Sequence, residues 1–197
     1  MVQFVLASGS PRRKELLERV GLEFSVRTSE IEEQIEKNMP PYLVVEQLAL
    51  QKAADVAKTA GENTLVIGAD TIVVLDGEIL TKPHSEQEAA DMLRKLSGRS
   101  HSVLTGLSVI RTDDALGVSV FEETKVFFRT LTEEEIACYI KSGEPLDKAG
   151  AYGIQGRGSM LIEKIEGDYF NVVGLPLCRL CKVLKDEFEV NLILEVQ

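Results

Sequence analysis

The stretch Phe4-Val5-Leu6-Ala7-Ser8-Gly9-Ser10-Pro11-Arg12-Arg13 decides the fold. Its first four residues are a short apolar run suited to a buried strand, and Ser10-Pro11 offers an N-cap residue followed by a proline suited to the first helical position. A strand therefore runs directly into a helix. That helix carries Leu16, Leu17 and Val20 as an apolar stripe and stops near Gly21. The same strand-to-helix alternation recurs along the chain and predicts an α/β fold with a mixed sheet.

Arg12 and Arg13 stand in the first turn of that helix, where outward-pointing N–H groups and the helix dipole favour acids. Placed there, arginines are mildly unfavourable unless something negative lies between them. A phosphate would satisfy the N–H groups, the Ser8 and Ser10 hydroxyls and both guanidinium forks together. The competing reading is that both side chains simply extend into solvent.

Composition restricts the partners. The chain has 197 residues, 44% of them hydrophobic, with 22 basic residues against 32 acidic ones and a net charge of -10. This is enough for one sizeable core or two small lobes around a cleft. Such an acidic surface repels a phosphate backbone, which argues against sequence-independent binding of DNA or RNA, so any anion site must be local. There is no apolar run long enough to cross a membrane and no basic segment ahead of an apolar one, and the expectation is a soluble intracellular protein.

Cys138, Cys178 and Cys181 form no disulfide framework and fit a reducing compartment. Cys178-Arg-Leu-Cys181 has CxxC spacing but lies in a helical run with no second cysteine pair or histidine cluster beside it, so its thiols are expected to be core filling.

Pro40-Pro41 introduces a helix over Tyr42 to Lys58, with Val45, Leu48, Ala49 and Ala53 at helical spacing. Thr64 to Leu75 is a long β-branched run, continuous rather than alternating, which predicts a central buried strand turning at Asp76-Gly77 into a short partner that ends at Lys82-Pro83. Ser85-Glu86-Gln-Glu88 starts a helix by a capping pattern, and Gly98 ends it. Val103 to Ile110 and Gly117 to Arg129 predict an antiparallel pair. Thr132-Glu133-Glu134-Glu135 opens a helix with acids in its first turn, a glycine-rich loop over Ala149 to Gly158 precedes a strand from Met160 to Ile165, and a closing helix runs from about Leu175 to Phe188.

Asp70 lies in the middle of the apolar run, where a buried unpaired carboxylate would cost several kcal/mol. It needs a metal ion, a lysine or a proton, at a strand end or at a break near Gly68; a turn aspartate or simple salt bridge is the plainer alternative. Glu33 or Glu32 offers a second carboxylate, whereas Lys52 alone has the pattern of a surface lysine on an amphipathic helix. The Gly153, Gly156 and Gly158 spacing is not a dinucleotide fingerprint and leads into a strand. His84 and His101 lack paired zinc spacing, so a metal here would be hard and oxygen-bound, such as Mg2+ or Mn2+.

Six blocks, Leu6-Ala-Ser-Gly-Ser-Pro-Arg-Arg13, Gly68-Ala-Asp-Thr71, Lys82-Pro83, Leu96-Ser-Gly-Arg-Ser-His101, Asp147-Lys-Ala-Gly-Ala-Tyr-Gly-Ile-Gln-Gly156 and Asn171-Val-Val-Gly-Leu-Pro176, span nearly the whole chain in order. Together they resemble the Maf family of nucleoside triphosphate pyrophosphatases. The resemblance implies hydrolysis of a nucleoside triphosphate to the monophosphate and pyrophosphate. It implies a three-layer fold similar to the inosine triphosphatases, a single domain whose two lobes flank a cleft and share a long mixed sheet. A cytoplasmic house-cleaning role, a link to septum formation and frequent dimerisation come with the family.

Residue by residue, Ser8, Arg12, Arg13, Lys52 and Lys82 match the family's phosphate-binding positions, and Glu33 and Asp70 match its acidic pair, with Asp70 resembling the proton acceptor. In the mechanism this implies, Glu33 and Asp70 hold Mg2+ or Mn2+. Arg12, Thr71 and Gln155 match the branch acting on dTTP and UTP, and a glutamine amide suits the imide edge of uracil or thymine because it donates and accepts at once. Thr81 and Asp168-Tyr169-Phe170 depart from the family pattern and bear on loop shape. The rival readings are a phosphatase releasing orthophosphate, a non-catalytic nucleotide-binding regulator of cell division, and a nucleic-acid-binding partner of the division machinery, the last opposed by the charge.

Overall fold

The computed structural model describes residues 2–36 and 38–195. Strand β1 (Gln3–Leu6) leads into α1 (Pro11–Arg19) as the opening stretch predicts, with Pro11 at the first helical position. The Ser10 side chain makes no capping bond; Ser8 Oγ instead accepts from Ser10 N at 3.2 Å. Leu16 and Leu17 are buried, whereas Val20 is 37% exposed, because the helix ends at Arg19 and Val20 is already its C-cap.

The chain continues through β2 (Ser25–Val26), α2 (Pro41–Ala57), β3 (Thr64–Leu75), β4 (Glu78–Leu80), α3 (Glu86–Leu96), β5 (Ser100–Arg111), β6 (Gly117–Phe128) and α4 (Glu133–Lys141). Three 3-10 turns, Glu144–Asp147, Ala149–Ala151 and Gly156–Leu161, then occupy the glycine-rich stretch, so β7 (Ile162–Glu166) begins later than the strand expected from Met160. Helices α5 (Tyr169–Val173), α6 (Leu177–Phe188) and α7 (Leu192–Glu195) close the chain. The elements that sequence patterning missed, β2, α5 and α7, are too short for any period to register.

Among the described residues, seven strands form one mixed sheet in the order β2-β1-β3-β5-β6-β7, with β4 paired to β3. Strand β1 runs parallel to β2 and β3, while β4 is antiparallel to β3 and β7 to β6. Residues 112–116 are too short a link for a crossover, so β5 and β6 are the expected antiparallel neighbours. The mixed α/β class read from the sequence is the observed one.

The chain divides into two compact units. The first comprises Met1–Asp70, Thr105–Glu122 and Gly174–Gln197, and the second Thr71–Leu104 and Glu123–Val173. In the first, Val5, Ala7, Ala53, Val56, Val66 and Ile110 bury one another. Helix α2 lies directly on β3 and β5 at two glycines: a Cβ on Gly68 would stand 2.3 Å from Ala49 O, and one on Gly106 only 2.0 Å from Val45 O. Gly68 is thus a contact point for a helix backbone within an unbroken strand, and Asp70 lies at neither the strand end nor the break near Gly68 expected for it.

The first unit also carries α6, which buries Leu180, Val183, Leu184 and Phe188. Its thiols are not the expected core filling: Cys178 is exposed and Cys181 half-buried, with burial raising the Cys181 pKa, and all three cysteines are free.

The second unit packs α3 and α4 over a core that includes Val73, Leu93, Leu96, Val126, Phe128 and Ile136. Both helices start as their sequences predict. Ser85 Oγ accepts from Glu88 N at 3.1 Å, and Thr132 and Glu135 form a reciprocal capping box. Deep in this unit, His101 stacks edgewise on Phe128 and Tyr152, and its Nε2 shares a 2.6 Å hydrogen bond with the Tyr152 hydroxyl.

Candidate active site

The contact at Gly68 determines what faces Asp70. Because alternate residues of a strand share a face, Gly68 and Asp70 both look toward the turn of α2 that contains Ala49 and Ala53. Lys52 lies in that turn, and its Nζ donates to Asp70 Oδ1 at 2.5 Å. The same ammonium pairs with Glu33 Oε1 at 2.8 Å. Lys52 and Asp70 side chains are 18% and 17% exposed, so Lys52 is not the surface lysine its helix pattern predicts. Of the three partners open to Asp70 on sequence, the one observed is a lysine.

Glu33 reaches Lys52 from a segment without regular secondary structure. Its neighbour Gln34 is clasped by Gln51 of α2: Gln34 N donates to Gln51 Oε1 at 3.0 Å, and Gln51 Nε2 donates to Gln34 O at 2.7 Å. Ser29 Oγ adds a bond to Asp55 Oδ2 at 2.9 Å. These anchors hold the acidic segment along α2 and leave the Glu33 side chain 46% exposed.

At the start of α1, Arg13 Nε donates to Gly174 O at 2.7 Å and Nη1 to Ser8 Oγ at 3.1 Å. Burial lowers the Arg13 pKa from its ordinary value, the Asp70 and Glu33 carboxylates oppose this, and the neighbouring Arg12 charge reinforces it. A guanidinium starts from so high a value that it stays charged. Ser8, Arg12, Arg13, Glu33, Lys52 and Asp70 thus gather within electrostatic reach of one another in the first unit. Its three cations against two carboxylates leave the cluster net positive, as a polyphosphate site requires.

The other residues singled out from sequence belong to the second unit. Thr71 follows Asp70 on β3 and is half-buried. Lys82 is exposed just after β4 and has no ion pair among the described residues. Gln155 is half-buried at the start of the Gly156–Leu161 turn, and its side-chain amide takes no hydrogen bond among the described residues. Sequence reasoning missed Gly174, which acts through its carbonyl, and Gln51, an amide on a helix with no motif to mark it.

The family model described as "Maf-like protein" matches residues 3–187. The chain belongs to the Maf family. Among Maf relatives, the dTTP/UTP pyrophosphatase of Thermoanaerobacter sp. (strain X514) is 52% identical over 192 residues, 98% of this chain and 100% of the relative. The dTTP/UTP pyrophosphatase of Geobacillus sp. (strain WCH70) is 54% identical over 186 residues, 94% of this chain and 98% of the relative. A more distant likeness is to the solved structure of the Staphylococcus aureus Ham1 protein, at 16% identity and a TM-score of 0.47, covering 64% of this chain and 71% of that one.

The two departures from the Maf pattern have local explanations. Thr81 acts through its carbonyl, which accepts from Gly150 N at 3.1 Å. Asp168 exchanges bonds with the Thr124 hydroxyl through its own N and O, both at 3.0 Å, and its Oδ1 accepts from Phe170 N at 2.8 Å, capping α5. Among the described residues no helix is long and apolar enough to cross a membrane.

Proposed function

We propose that this chain is a nucleoside triphosphate pyrophosphatase that converts dTTP and UTP to the nucleoside monophosphate and pyrophosphate. The observation that carries the reading is the half-buried Lys52 bridging Asp70 and Glu33 beside Arg13. The names of relatives about half identical over nearly the full chain support the same chemistry.

The triphosphate lies against the first turn of α1, with Arg12, Arg13 and Lys52 meeting its charge, and Lys82 is a further cation for phosphate. Asp70 Oδ1 is taken by Lys52, while Oδ2 has no hydrogen bond among the described residues and is the oxygen offered to water. Asp70 accepts the water proton as the water oxygen bonds the α-phosphorus. The bond from that phosphorus to the oxygen bridging toward the β-phosphate breaks, and pyrophosphate leaves with the electron pair. Lys52 orients Asp70 and offsets charge developing on the phosphoryl oxygens.

Among the described residues, no three His, Cys, Asp or Glu side chains converge on one point as a closed metal cage. The Glu33 and Asp70 pair does fit a hard cation that completes its coordination with water and phosphate oxygens. Mg2+ or Mn2+ held by these two residues would supply Lewis-acid charge neutralisation on the triphosphate.

Gln155 reads the base, its amide matching the alternation of carbonyl and N3–H on uracil and thymine. Modified pyrimidine triphosphates with an intact imide edge are substrates on the same grounds, consistent with a cytoplasmic house-cleaning role. Asp70→Asn is expected to abolish turnover while leaving the far-ultraviolet circular dichroism unchanged. Near-normal turnover in that variant would remove Asp70 from the chemistry.

A further inference from the structure

The glycine-rich stretch around Gln155 has the look of a phosphate cradle, yet its N–H groups are already engaged by a carboxylate of the chain itself. Glu144 Oε1 accepts from Gly158 N at 3.0 Å and from the Tyr139 hydroxyl at 3.0 Å, and its Oε2 accepts from Arg157 N at 3.0 Å. The Tyr139 oxygen in turn accepts from Gly153 N at 3.2 Å. Tyr139, at 5% exposure near the end of α4, is anchored in the core, and burial raises its pKa, which keeps the hydroxyl proton available to Glu144.

The loop is moulded to this carboxylate. Gly156 has φ +63, and a Cβ there would stand 2.9 Å from Glu144 Oε2. One on Gly158 would stand 2.1 Å from Gly153 O and 2.6 Å from the Tyr139 hydroxyl. Both flanks of Gln155 are therefore pinned, at Gly153 on one side and at Arg157 and Gly158 on the other, while its own amide takes no hydrogen bond among the described residues. A loop fixed at both ends around a side chain left available is a presentation device, because no ordering of the loop remains to be done when the ligand arrives.

We infer that Glu144, acting with Tyr139, is a positioning residue that holds Gln155 in register for the imide edge of the pyrimidine base and thereby sets base preference. The inference rests on the reading that Gln155 meets the base. The Glu144 carboxylate is spent on the loop and Tyr139, so its loss is expected to alter discrimination more than the hydrolytic step.

The test compares kcat/KM for dTTP and dCTP, which share sugar and triphosphate and differ at the imide edge and in the thymine 5-methyl group, in the whole chain with Mg2+. Gln155→Ala is expected to lower the dTTP-to-dCTP ratio on the order of tenfold or more. Glu144→Ala should lower it comparably with dCTP turnover little changed, and the double variant should be no worse than Gln155→Ala alone. A merely structural loss would slow both substrates together and leave the ratio intact. If thermal unfolding shows that Glu144→Ala does not fold, Tyr139→Phe, which removes the hydroxyl shared by Glu144 and Gly153, must lower the ratio instead. A ratio lost in Gln155→Ala but kept in the folded clamp variant would overturn the positioning role alone. A ratio unchanged in Gln155→Ala would overturn the base reading, and the inference with it.

Discussion

The Lys52 cluster and the Gln155 loop are both built on carboxylates, but the carboxylates do opposite work. At Lys52, two acids and a lysine converge as side chains from β3, α2 and an irregular segment, and Glu33 remains nearly half exposed. At Gln155, a single acid is consumed by backbone N–H groups and a buried tyrosine. Charges that must exchange partners with phosphate and water stay accessible, whereas a charge that only has to hold a shape is saturated internally. The first arrangement suits chemistry and the second suits recognition.

The strongest way to break this contrast is to remove the cation that organises the first region. Lys52→Met is expected to lower kcat roughly 10²–10⁴-fold for dTTP and dCTP alike, since it touches the shared triphosphate and not the base. Steady-state kinetics on both nucleotides check this, and a selective effect on dTTP would merge the two regions into one function.

Acid probes the core beneath the second region, where His101 bonds Tyr152 and burial holds its pKa at about 4 against the ordinary 6.5. The unfolded chain takes up this proton first as pH falls, so the neutral folded form is disfavoured progressively between pH 6.5 and 4. His101 should thereby remove about 3 kcal/mol of stability across that window and nothing further below it. Urea unfolding at pH 7 and pH 4 should show a smaller drop in His101→Gln than in the parent chain.

Gly68→Ala addresses how the first region is assembled. The added methyl meets Ala49 O, so α2 must shift, at about 1–3 kcal/mol, and the Lys52 to Asp70 contact moves with it. Thermal unfolding and kcat should fall together. The smallest effect is expected of Gln51→Ala, which frees the Gln34 clasp and loosens Glu33 without touching Lys52. A loss of about 1 kcal/mol, read as a several-fold fall in kcat/KM with the fold intact, would confirm Gln51 as a positioning residue.

What was legible in the sequence was local. The bounds of β3, the Ser85 cap and the acidic start of α4 depend on neighbours within a few positions, and each appears as read. Lys52 has a surface pattern because the residue that makes it internal, Asp70, lies on another element, which helix periodicity cannot see. The apolar run leaves open a strand end or a break near Gly68 for Asp70, whereas β3 runs on unbroken and Gly68 serves the close approach of a helix. Glu144 was invisible for a different reason: two of its three partners are backbone N–H groups, which every residue but proline carries, so no residue type announces them. Gln155 carries no local signal of its own and is marked only by resemblance to the Maf pattern.

The most direct test of the central reading is to incubate the chain with dTTP and Mg2+ and identify both products by ion-exchange chromatography. dTMP and pyrophosphate are expected in equal amounts from the parent chain and neither from Asp70→Asn. Orthophosphate as the released product, or pyrophosphate formed at an undiminished rate by Asp70→Asn, would contradict it.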